Sequence, residues 1–349
     1  MARAKQATPA AEASAEREAF PQDWADIRGH AAIIRRLRAL AASERLPHAL
    51  IFTGLEGVGK RRTARVLART LLCAASGDAP CGRCEACRTM AAGVHPDYFE
   101  TAPEARGKSA AMIRTDAVRE ILITASGAPV SAAQRIILID GADRMNEAAA
   151  NRLLKTLEEP TGNVLFILVT HAYDAVLPTI RSRAVRIAFG ALSRGEIETA
   201  LAARGCADAA VLAALADGSL GRAYALAAEG LALRDDALAL LAELSSLSVE
   251  RIWTRAEEIG MRTHAERTEW LGFFQMALRD LLVLYERGNT PLYHTDRRTD
   301  LAELLPRMPR GQIFDLLHGI RELQLRFGAN VNPALQAEAF LLRARKQFT

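Results

Sequence analysis

The sequence predicts an α/β domain built on a parallel sheet, followed by domains that are wholly helical. The first observation is an apolar segment at 49–53, followed by a glycine-rich loop and then by apolar residues at helical spacing. The second is a pair of segments, at 134–140 and 164–169, whose continuous apolar stretches are typical of parallel strands buried on both faces. The third is the change after Leu192, beyond which the apolar residues recur only at helical spacing.

Composition limits the classes of function. The 349 residues suffice for two or three domains, and half of them are hydrophobic while only 5% are aromatic. The net charge of +4 is too small to indicate nucleic-acid binding by itself, so any contact with DNA needs local patches. No apolar run has the length of a membrane span, and the first 20 residues lack the hydrophobic core of a secretory signal, so we expect a cytoplasmic protein without a membrane partner.

The expected order of domains follows from these patterns. Residues 1–22 are rich in Ala, Glu and Arg without an apolar stripe, and we expect a disordered tail there. Residues 23–188 are predicted to form the α/β domain. Residues 189–232 are predicted to form a small helical domain, and 233–349 a bundle of roughly five helices, one of them densely apolar on more than one face.

Residues 54–60, here called the phosphate loop, have the pattern G-x-x-x-x-G-K between a predicted strand and a predicted helix. Its glycines allow backbone N–H groups to turn toward a polyphosphate, and they are Gly54, Gly57 and Gly59. Lys60 would reach the β- and γ-phosphates. Arg61 stands where Ser or Thr normally holds Mg²⁺. The loop is therefore predicted to hold phosphate but to bind the metal poorly.

Two residues at the ends of predicted strands belong to the same site. Asp140 ends one strand, where a phosphate-loop NTPase carries the carboxylate that coordinates Mg²⁺ directly or through water. Thr170 ends the next strand, near the expected nucleotide. Many such enzymes have a Glu after the strand aspartate to activate water, but Gly141 occupies that position and Asp143 is a poor replacement.

Four cysteines occur within 15 residues, in the pattern C-x₇-C-x₂-C-x₂-C: Cys73, Cys81, Cys84 and Cys87. Such a cluster is typical of a closed, structural Zn²⁺ site in a reducing cytoplasm. An iron–sulfur cluster is the alternative, but a ferredoxin run continues to a fourth cysteine followed by proline, and here Arg88 follows Cys87. Four unrelated free cysteines are the remaining interpretation.

Several motifs together resemble the clamp-loader branch of the AAA+ proteins, over about residues 24–348. The most specific is 151–160, NRLLKTLEEP, which is similar to the N-x-L-L-K-T-L-E-E-P run of that family. The four cysteines directly after the loop helix are a second match, and 330–335, NVNPAL, resembles the start of the last collar helix. Ser182-Arg183-Ala184 stands where the family has Ser-Arg-Cys, so the arginine is present and the cysteine is missing.

The resemblance implies an AAA+ sheet domain with an inserted zinc module at 73–87, a helical lid domain and a C-terminal helical collar for oligomerisation. It implies that Arg183 is an arginine finger acting in trans, and that Arg222, in the sensor-2 region 218–222, faces the nucleotide. The implied partners are gamma/tau-like motor subunits and a delta-like, clamp-opening subunit, with the sliding clamp and primer-template DNA reached through the complex.

At Arg61 and Gly141 the chain departs from the pattern of a working motor subunit, which indicates a subunit that does not hydrolyse ATP. The retained Gly59, Lys60 and Asp140 are compatible with weak ATP binding. An active, DNA-stimulated ATPase motor of the same family is one alternative. The other is a zinc-containing DNA-binding protein that uses four arginines of the loop helix on phosphates: Arg61, Arg62, Arg65 and Arg69. We otherwise expect those four to form a solvated helix face.

Overall fold

The computed structural model describes residues 20–43, 46–75, 79–104, 111–159, 162–286, 289–327 and 331–346. Its sheet has five strands in the order β2-β3-β4-β1-β5, and every neighbouring pair is parallel. The strands are β1 Ala49–Thr53, β2 Tyr98–Thr101, β3 Arg135–Asp140, β4 Val164–Thr170 and β5 Val185–Ala188. Because the strands are parallel, their carboxyl ends lie along one edge, which therefore carries Thr53, Asp140 and Thr170.

Both faces of the sheet are buried, which explains the continuous apolar strands. Leu50 and Phe52 of β1 belong to the core on one face, while Ala49 and Ile51 belong to the core on the other. All seven residues of β4 are buried. A strand covered on one face alone would alternate between apolar and polar residues.

Helices follow and flank the strands within the described residues. They are α1 Ala31–Ala41, α2 Lys60–Leu72, α3 Glu85–Ala91, α4 Thr115–Ala125, α5 Glu147–Glu158, α6 Pro178–Arg181, α7 Arg194–Ala202, α8 Ala209–Leu215 and α9 Leu220–Glu229. The Asn146 side chain accepts a hydrogen bond from the Ala149 N–H, so it is the N-cap of α5. The predicted fold class, a parallel α/β domain followed by helices, is confirmed.

The chain folds as two compact units. The first runs to Ala207 and includes Gly218–Ala228, and the second comprises Asp208–Asp217 and the chain from Glu229. The helices of the expected lid, at 189–232, are thus divided between the units. The boundaries of sheet domain, lid and collar stay a proposal. Residues 1–19 of the expected tail, Pro160 and Asn330 lie outside the described residues.

The second unit is built around one long helix. Its helices from residue 232 onward, within the described part, are α10 Ala232–Glu243, α11 Val249–Met261, α12 His264–Tyr285, α13 Arg298–Leu304, α14 Arg310–Phe327 and α15 Pro333–Lys346. Thr263 and Glu266 form a capping box at the start of α12. Trp270, Phe273 and Phe274 of this helix are buried, and their spacing places them on one face of it.

A buried carboxylate fixes the segment after α12. Asp280 is fully buried and accepts hydrogen bonds from the backbone N–H groups of Tyr293 and His294, at 2.8–3.0 Å. Its Oδ1 lies 3.0 Å from Nη1 of Arg279, and its Oδ2 lies 3.0 Å from Nδ1 of His294. Burial opposes ionisation, but these donors outweigh it and hold the pKa of Asp280 below its usual value.

We expect Asp280→Asn to lower the free energy of unfolding by about 3 kcal/mol at pH 7, because an amide cannot accept all of these hydrogen bonds. Since the folded pKa is depressed, the carboxylate stabilises the fold above the ordinary carboxyl pKa of about 4, and this contribution disappears as the pH falls further. Urea unfolding at several pH values measures both effects. The exposed Glu257→Gln is the control. A loss of unfolding free energy in Asp280→Asn that is as large at low pH as at pH 7 would contradict the stabilising role of the Asp280 carboxylate.

Candidate functional site

The phosphate loop packs closely against the beginning of α9. Gly54, Gly57 and Gly59 have positive φ angles of 139°, 76° and 101°, which favour glycine. A Cβ on Gly57 would collide with Oγ of Ser219, and a Cβ on Gly221 would lie 2.9 Å from Cα of Gly57. The two backbones therefore touch without intervening side chains.

Every carbonyl from residue 54 to residue 58 accepts a hydrogen bond from the protein. The Lys60 ammonium donates to Gly54 O at 2.7 Å and to Leu55 O at 2.6 Å. The Ser219 hydroxyl donates to Glu56 O at 2.7 Å, and the Gly221 N–H donates to Gly57 O at 2.9 Å. Nε2 of His30 lies 3.0 Å from Val58 O. The chain itself thus holds the loop in its folded shape.

The Lys60 ammonium is bound to the loop itself. Its side chain is buried against the loop, and burial lowers the pKa of its ammonium, an effect opposed by Asp140, Glu56 and Asp143. Two of its N–H groups are directed at the carbonyls of Gly54 and Leu55. A single N–H remains for a β- or γ-phosphate unless the ammonium leaves these carbonyls.

Arg61 lies between two carboxylates at the position expected for the metal. Its Nε is 2.5 Å from Oε1 of Glu100 and 3.6 Å from Oδ2 of Asp140. Glu100 belongs to β2 and also accepts hydrogen bonds from Arg65 at 2.9 Å and from the Tyr98 hydroxyl at 2.7 Å. A guanidinium therefore supplies positive charge where a phosphate-loop NTPase places Mg²⁺.

The two carboxylates respond differently to their surroundings. Burial opposes ionisation of Glu100, but the hydrogen bond from Arg65 and the charge of Arg61 outweigh it, and its pKa is below its usual value. Burial dominates for Asp140 and raises its pKa, although Arg61 acts in the opposite direction. Glu100 was not predicted as a site residue, because its only signal in the sequence is a carboxylate within an otherwise strand-like segment.

The position after the strand aspartate has no room for a glutamate. Gly141 has a φ of 78°, and a Cβ there would lie 2.7 Å from Cγ of Pro103. Asp143 is occupied elsewhere, because the Thr170 hydroxyl donates to its Oδ1 at 2.5 Å and Nδ1 of His171 lies 3.4 Å from its Oδ2. Thr170 itself, at the end of β4, accepts a hydrogen bond from the Ala172 N–H.

The two arginines named by the resemblance are in different surroundings. Arg222 lies at the start of α9, and its N–H donates to Oγ of Ser219, the residue that holds the phosphate loop. Arg183 follows α6 and is partly exposed. Its guanidinium donates to Thr179 O at 3.0 Å and lies 2.6 Å from Oε1 of Glu158 at the end of α5. These contacts join Arg183 to α5 and α6.

The expected solvated arginine face on α2 is wrong for two of its four members. Arg65 is 7% exposed because its guanidinium pairs with Glu100, and Arg69 is 1% exposed. Arg61 also pairs with Glu100, so its charge is compensated within the chain. These contacts also remove most of the basis for the DNA-binding alternative, which needs the guanidinium groups on the surface.

The four cysteines converge on one point. The sulfur atoms of Cys73, Cys81, Cys84 and Cys87 all lie within 4.8 Å of one another, and Sγ of Cys73 is 3.9 Å from Sγ of Cys84. Tetrahedral zinc with bonds of about 2.3 Å needs sulfur–sulfur separations of about 3.8 Å. The Cys81 and Cys87 N–H groups each donate to a cluster sulfur at 3.4 Å.

The acidities of the thiols fit a metal centre of this kind. Hydrogen bonds from the backbone of Arg83 and Cys84 lower the pKa of Cys81 to about 6, so this sulfur is available as a thiolate. Burial raises the pKa of Cys87 to about 12, so ionisation of this sulfur needs a cation nearby. The cluster therefore could hold a metal ion, and its four sulfur donors suit zinc.

Comparison with known proteins identifies the first half of the chain. A family model described as DNA polymerase III, delta subunit, matches residues 29–193. The chain is 44% identical to the DNA polymerase III subunit delta′ of Pseudomonas aeruginosa over 146 residues, which cover 40% of this chain and 42% of that relative. Over less than half of its length, the chain is therefore similar to DNA polymerase III delta-prime subunits.

Relatives named DNA polymerase III subunit gamma/tau also match part of the chain. The gamma/tau subunit of Mycobacterium tuberculosis is 36% identical over 166 residues, which cover 47% of this chain and 28% of that relative. The chain thus spans less than half the length of the curated relatives that it matches. A solved gamma subunit-related protein of Thermotoga maritima covers 90% of this chain and 99% of its own at 16% identity, but its TM-score of 0.45 is too low to add to the assignment. In the described residues no helix is long and apolar enough to cross a membrane.

We expect the purified chain to contain about one zinc ion and Cys84→Ser to lose most of it. Structural zinc contributes an apparent 10–16 kcal/mol, roughly, in small peptides, so the variant should also unfold at a lower temperature. Elemental analysis and thermal unfolding measure the two effects. Cys206→Ser, which changes a cysteine outside the cluster, should alter neither. Bound iron with a visible charge-transfer band would contradict the zinc assignment.

Proposed function

We propose that this chain is a non-hydrolysing delta-prime subunit of the DNA polymerase III clamp loader. In this role it joins gamma/tau-like motor subunits and a delta-like, clamp-opening subunit in a cytoplasmic ring that loads the sliding clamp on primer-template DNA. The observation that carries the proposal is the Arg61 guanidinium between Glu100 and Asp140. The lid at 189–232 and the collar at 233–349 remain part of the proposal.

The charge at Arg61 acts against metal-dependent hydrolysis. The residue removes the hydroxyl that normally binds Mg²⁺ and adds a cation beside the carboxylate that should help to hold the ion. To bind Mg²⁺ here, the site would need to displace a guanidinium that is paired at 2.5 Å with Glu100. Nucleotide could still enter the loop, but the metal that stabilises phosphoryl transfer would be bound weakly.

The position of Gly141 supports the same conclusion from another direction. A glutamate there would require a left-handed backbone and would collide with Pro103. Asp143 cannot easily replace it as a base, because its carboxylate accepts a hydrogen bond from the Thr170 hydroxyl. Two features of a working ATPase, the metal-binding hydroxyl and the water-activating carboxylate, are thus both missing.

Arg183 is suited to act on a neighbouring subunit. Its guanidinium is partly exposed at the end of α6, while Thr179 O and Glu158 fix its orientation. A planar guanidinium held this way can present remaining N–H groups to two oxygens of a phosphoryl group. In the proposed ring, Arg183 would complete the ATP site of one adjacent motor subunit.

The active ATPase motor remains the second candidate, because relatives named gamma/tau match 47% of the chain and because Lys60 and Asp140 are retained. The two candidates differ in the isolated chain. A motor should hydrolyse ATP when Mg²⁺ and primed DNA are supplied, whereas the proposed subunit should not. Hydrolysis in the reconstituted complex would then depend on the motor subunits alone.

We expect Arg183→Ala to leave folding, zinc content and assembly with the motor subunits unchanged, because the side chain is partly exposed. Hydrolysis should fall at the one motor site that faces this subunit, where loss of such an arginine costs about 10³–10⁵ in rate in other NTPases. The total steady-state ATPase of the complex should therefore fall only in part, while clamp loading falls further. Arg183→Lys should restore little.

Arg181→Ala is the matched control for this experiment. Arg181 lies two residues away, and its guanidinium pairs with the exposed Asp174 at 2.8 Å. Equal losses of activity in both alanine variants would mean that the effect depends on the general positive charge of this surface and not on Arg183 itself. Unchanged activity in both would contradict the finger assignment, whatever the state of the phosphate loop.

We expect Lys60→Ala to leave clamp loading by the reconstituted complex almost unchanged, because Arg61 and Gly141 already prevent hydrolysis at this loop. The corresponding substitution in a motor subunit of the same complex is the control and should abolish loading. Thermal unfolding checks that the loop tolerates the loss of the hydrogen bonds to Gly54 and Leu55. Failure to load with normal folding and assembly would show that nucleotide at this loop is required.

A further inference from the structure

One ion pair joins the end of α5 to the turn that follows α6. Glu158 is the last residue of α5, and Arg183 is the second residue after α6. Oε1 of Glu158 lies 2.6 Å from Nη2 of Arg183, and the two side chains are 48% and 35% exposed. Ion pairs as exposed as this one contribute little to stability, because water screens the two charges. Stability alone therefore does not account for the pair.

The Glu158 carboxylate is unfavourably placed for its own helix. The last turn of a helix has unpaired carbonyl groups and a partial negative charge, which repels a carboxylate. Glu159, the C-cap residue of α5, adds a second exposed carboxylate at this end. Because α5 does not need the charge of Glu158, a neutral residue in its place should leave the helix intact. The contribution of this carboxylate must therefore come through its partner, Arg183.

The ion pair leaves part of the Arg183 guanidinium available to a ligand. A guanidinium has five N–H groups. Nη1 donates to Thr179 O at 3.0 Å and to Oγ of Ser182 at 3.3 Å, while Nη2 contacts Glu158. Within the part of the chain that the structure describes, the Nε–H and the second N–H of Nη2 have no partner. Two oxygens of a phosphoryl group can therefore bind to these N–H groups while the ion pair stays intact.

The two neighbouring arginines have different surroundings. The Arg181 guanidinium lies 5.0 Å from the ring centroid of Tyr173, and that of Arg186 lies 4.1 Å from the same centroid. Arg181 also pairs with Asp174, in the same loop as Tyr173. Among the described contacts of these three arginines, only that of Arg183 reaches a carboxylate on α5.

We propose that Glu158 is a positioning residue for Arg183. Thr179 O and Ser182 hold Nη1 and Glu158 holds Nη2, so the guanidinium is oriented before the phosphoryl group of a neighbouring subunit arrives. The role rests on the proposed function, in which Arg183 acts on ATP bound to an adjacent motor subunit. A latch that keeps Arg183 away from the phosphate predicts the opposite effect, because release of the guanidinium would then accelerate hydrolysis.

Single-turnover ATP hydrolysis by the reconstituted complex tests the proposal, because the slowed motor site appears there as a separate phase. Glu158→Ala should slow that phase about 10–100-fold, since a displacement of about 1 Å in the reacting geometry can cost about 10²-fold. The ATP concentration for half-maximal rate should not change, because the loop of the motor subunit binds the nucleotide. Glu158→Gln should lose less, since its amide oxygen still accepts a hydrogen bond from Nη2. Glu159→Ala is the matched control and should leave the rate unchanged.

Combination with Arg183→Ala separates positioning from a merely structural role. Once the guanidinium is absent, Glu158→Ala should cause no further loss of rate, with normal zinc content and assembly in both variants. A loss that persists in the Arg183→Ala background, an unchanged rate or an accelerated phase would overturn the role of Glu158 and leave the finger assignment standing. No effect of Arg183→Ala itself would contradict the finger assignment and, with it, the role of Glu158.

Discussion

The candidate site depends on one interaction, the contact of the Arg61 guanidinium with the carboxylates of Glu100 and Asp140. Arg61 follows the loop lysine, so the start of α2 directs it toward the edge of the sheet where β2 and β3 end. Without it, two partly buried carboxylates would face each other beside the phosphate loop, an arrangement that attracts a divalent ion. With it, the chain supplies a fixed positive charge of its own. Under the proposed function, the loop keeps its glycine-rich conformation while the charge of Arg61 takes the place of the metal.

The contacts around the phosphate loop are consistent with a site in which Arg61 takes the place of the metal. Lys60 donates hydrogen bonds to the first two carbonyls of the loop, and residues of the turn at 219–221 donate to the next two carbonyls. The loop therefore has a stable conformation formed entirely by the protein. A loop that must bind, hydrolyse and release ATP gains from parts that move with the nucleotide. A subunit that only assembles with motors gains from a fixed shape. Under the proposed function, Arg183 is the group that contributes chemistry, and it lies outside this loop.

The sequence was informative where one local pattern decides the structure. The strands at 49–53 and 164–169 were predicted nearly to the residue because continuous apolar segments of that length suit a parallel sheet. The cysteine cluster was predicted because all four ligands lie in one short segment. The burial of Arg65 and Arg69 was missed, since it depends on Glu100 for the first and on Pro21 and Gln22 for the second, which lie distant in sequence. Ser219 was missed as a support of the loop for the same reason, at 163 residues from Glu56.

The central claim is that Arg61 replaces the metal at this site, and the Mg²⁺ dependence of nucleotide binding tests it most directly. Titration of the purified chain with ATP, once with Mg²⁺ and once in Mg²⁺-free buffer without a chelator, so that the zinc centre is preserved, gives the two affinities. The account predicts weak binding of equal strength in both conditions, with no hydrolysis when primed DNA is added. Binding that Mg²⁺ strengthens at least tenfold, a difference of about 1.4 kcal/mol, together with DNA-stimulated hydrolysis, would contradict it.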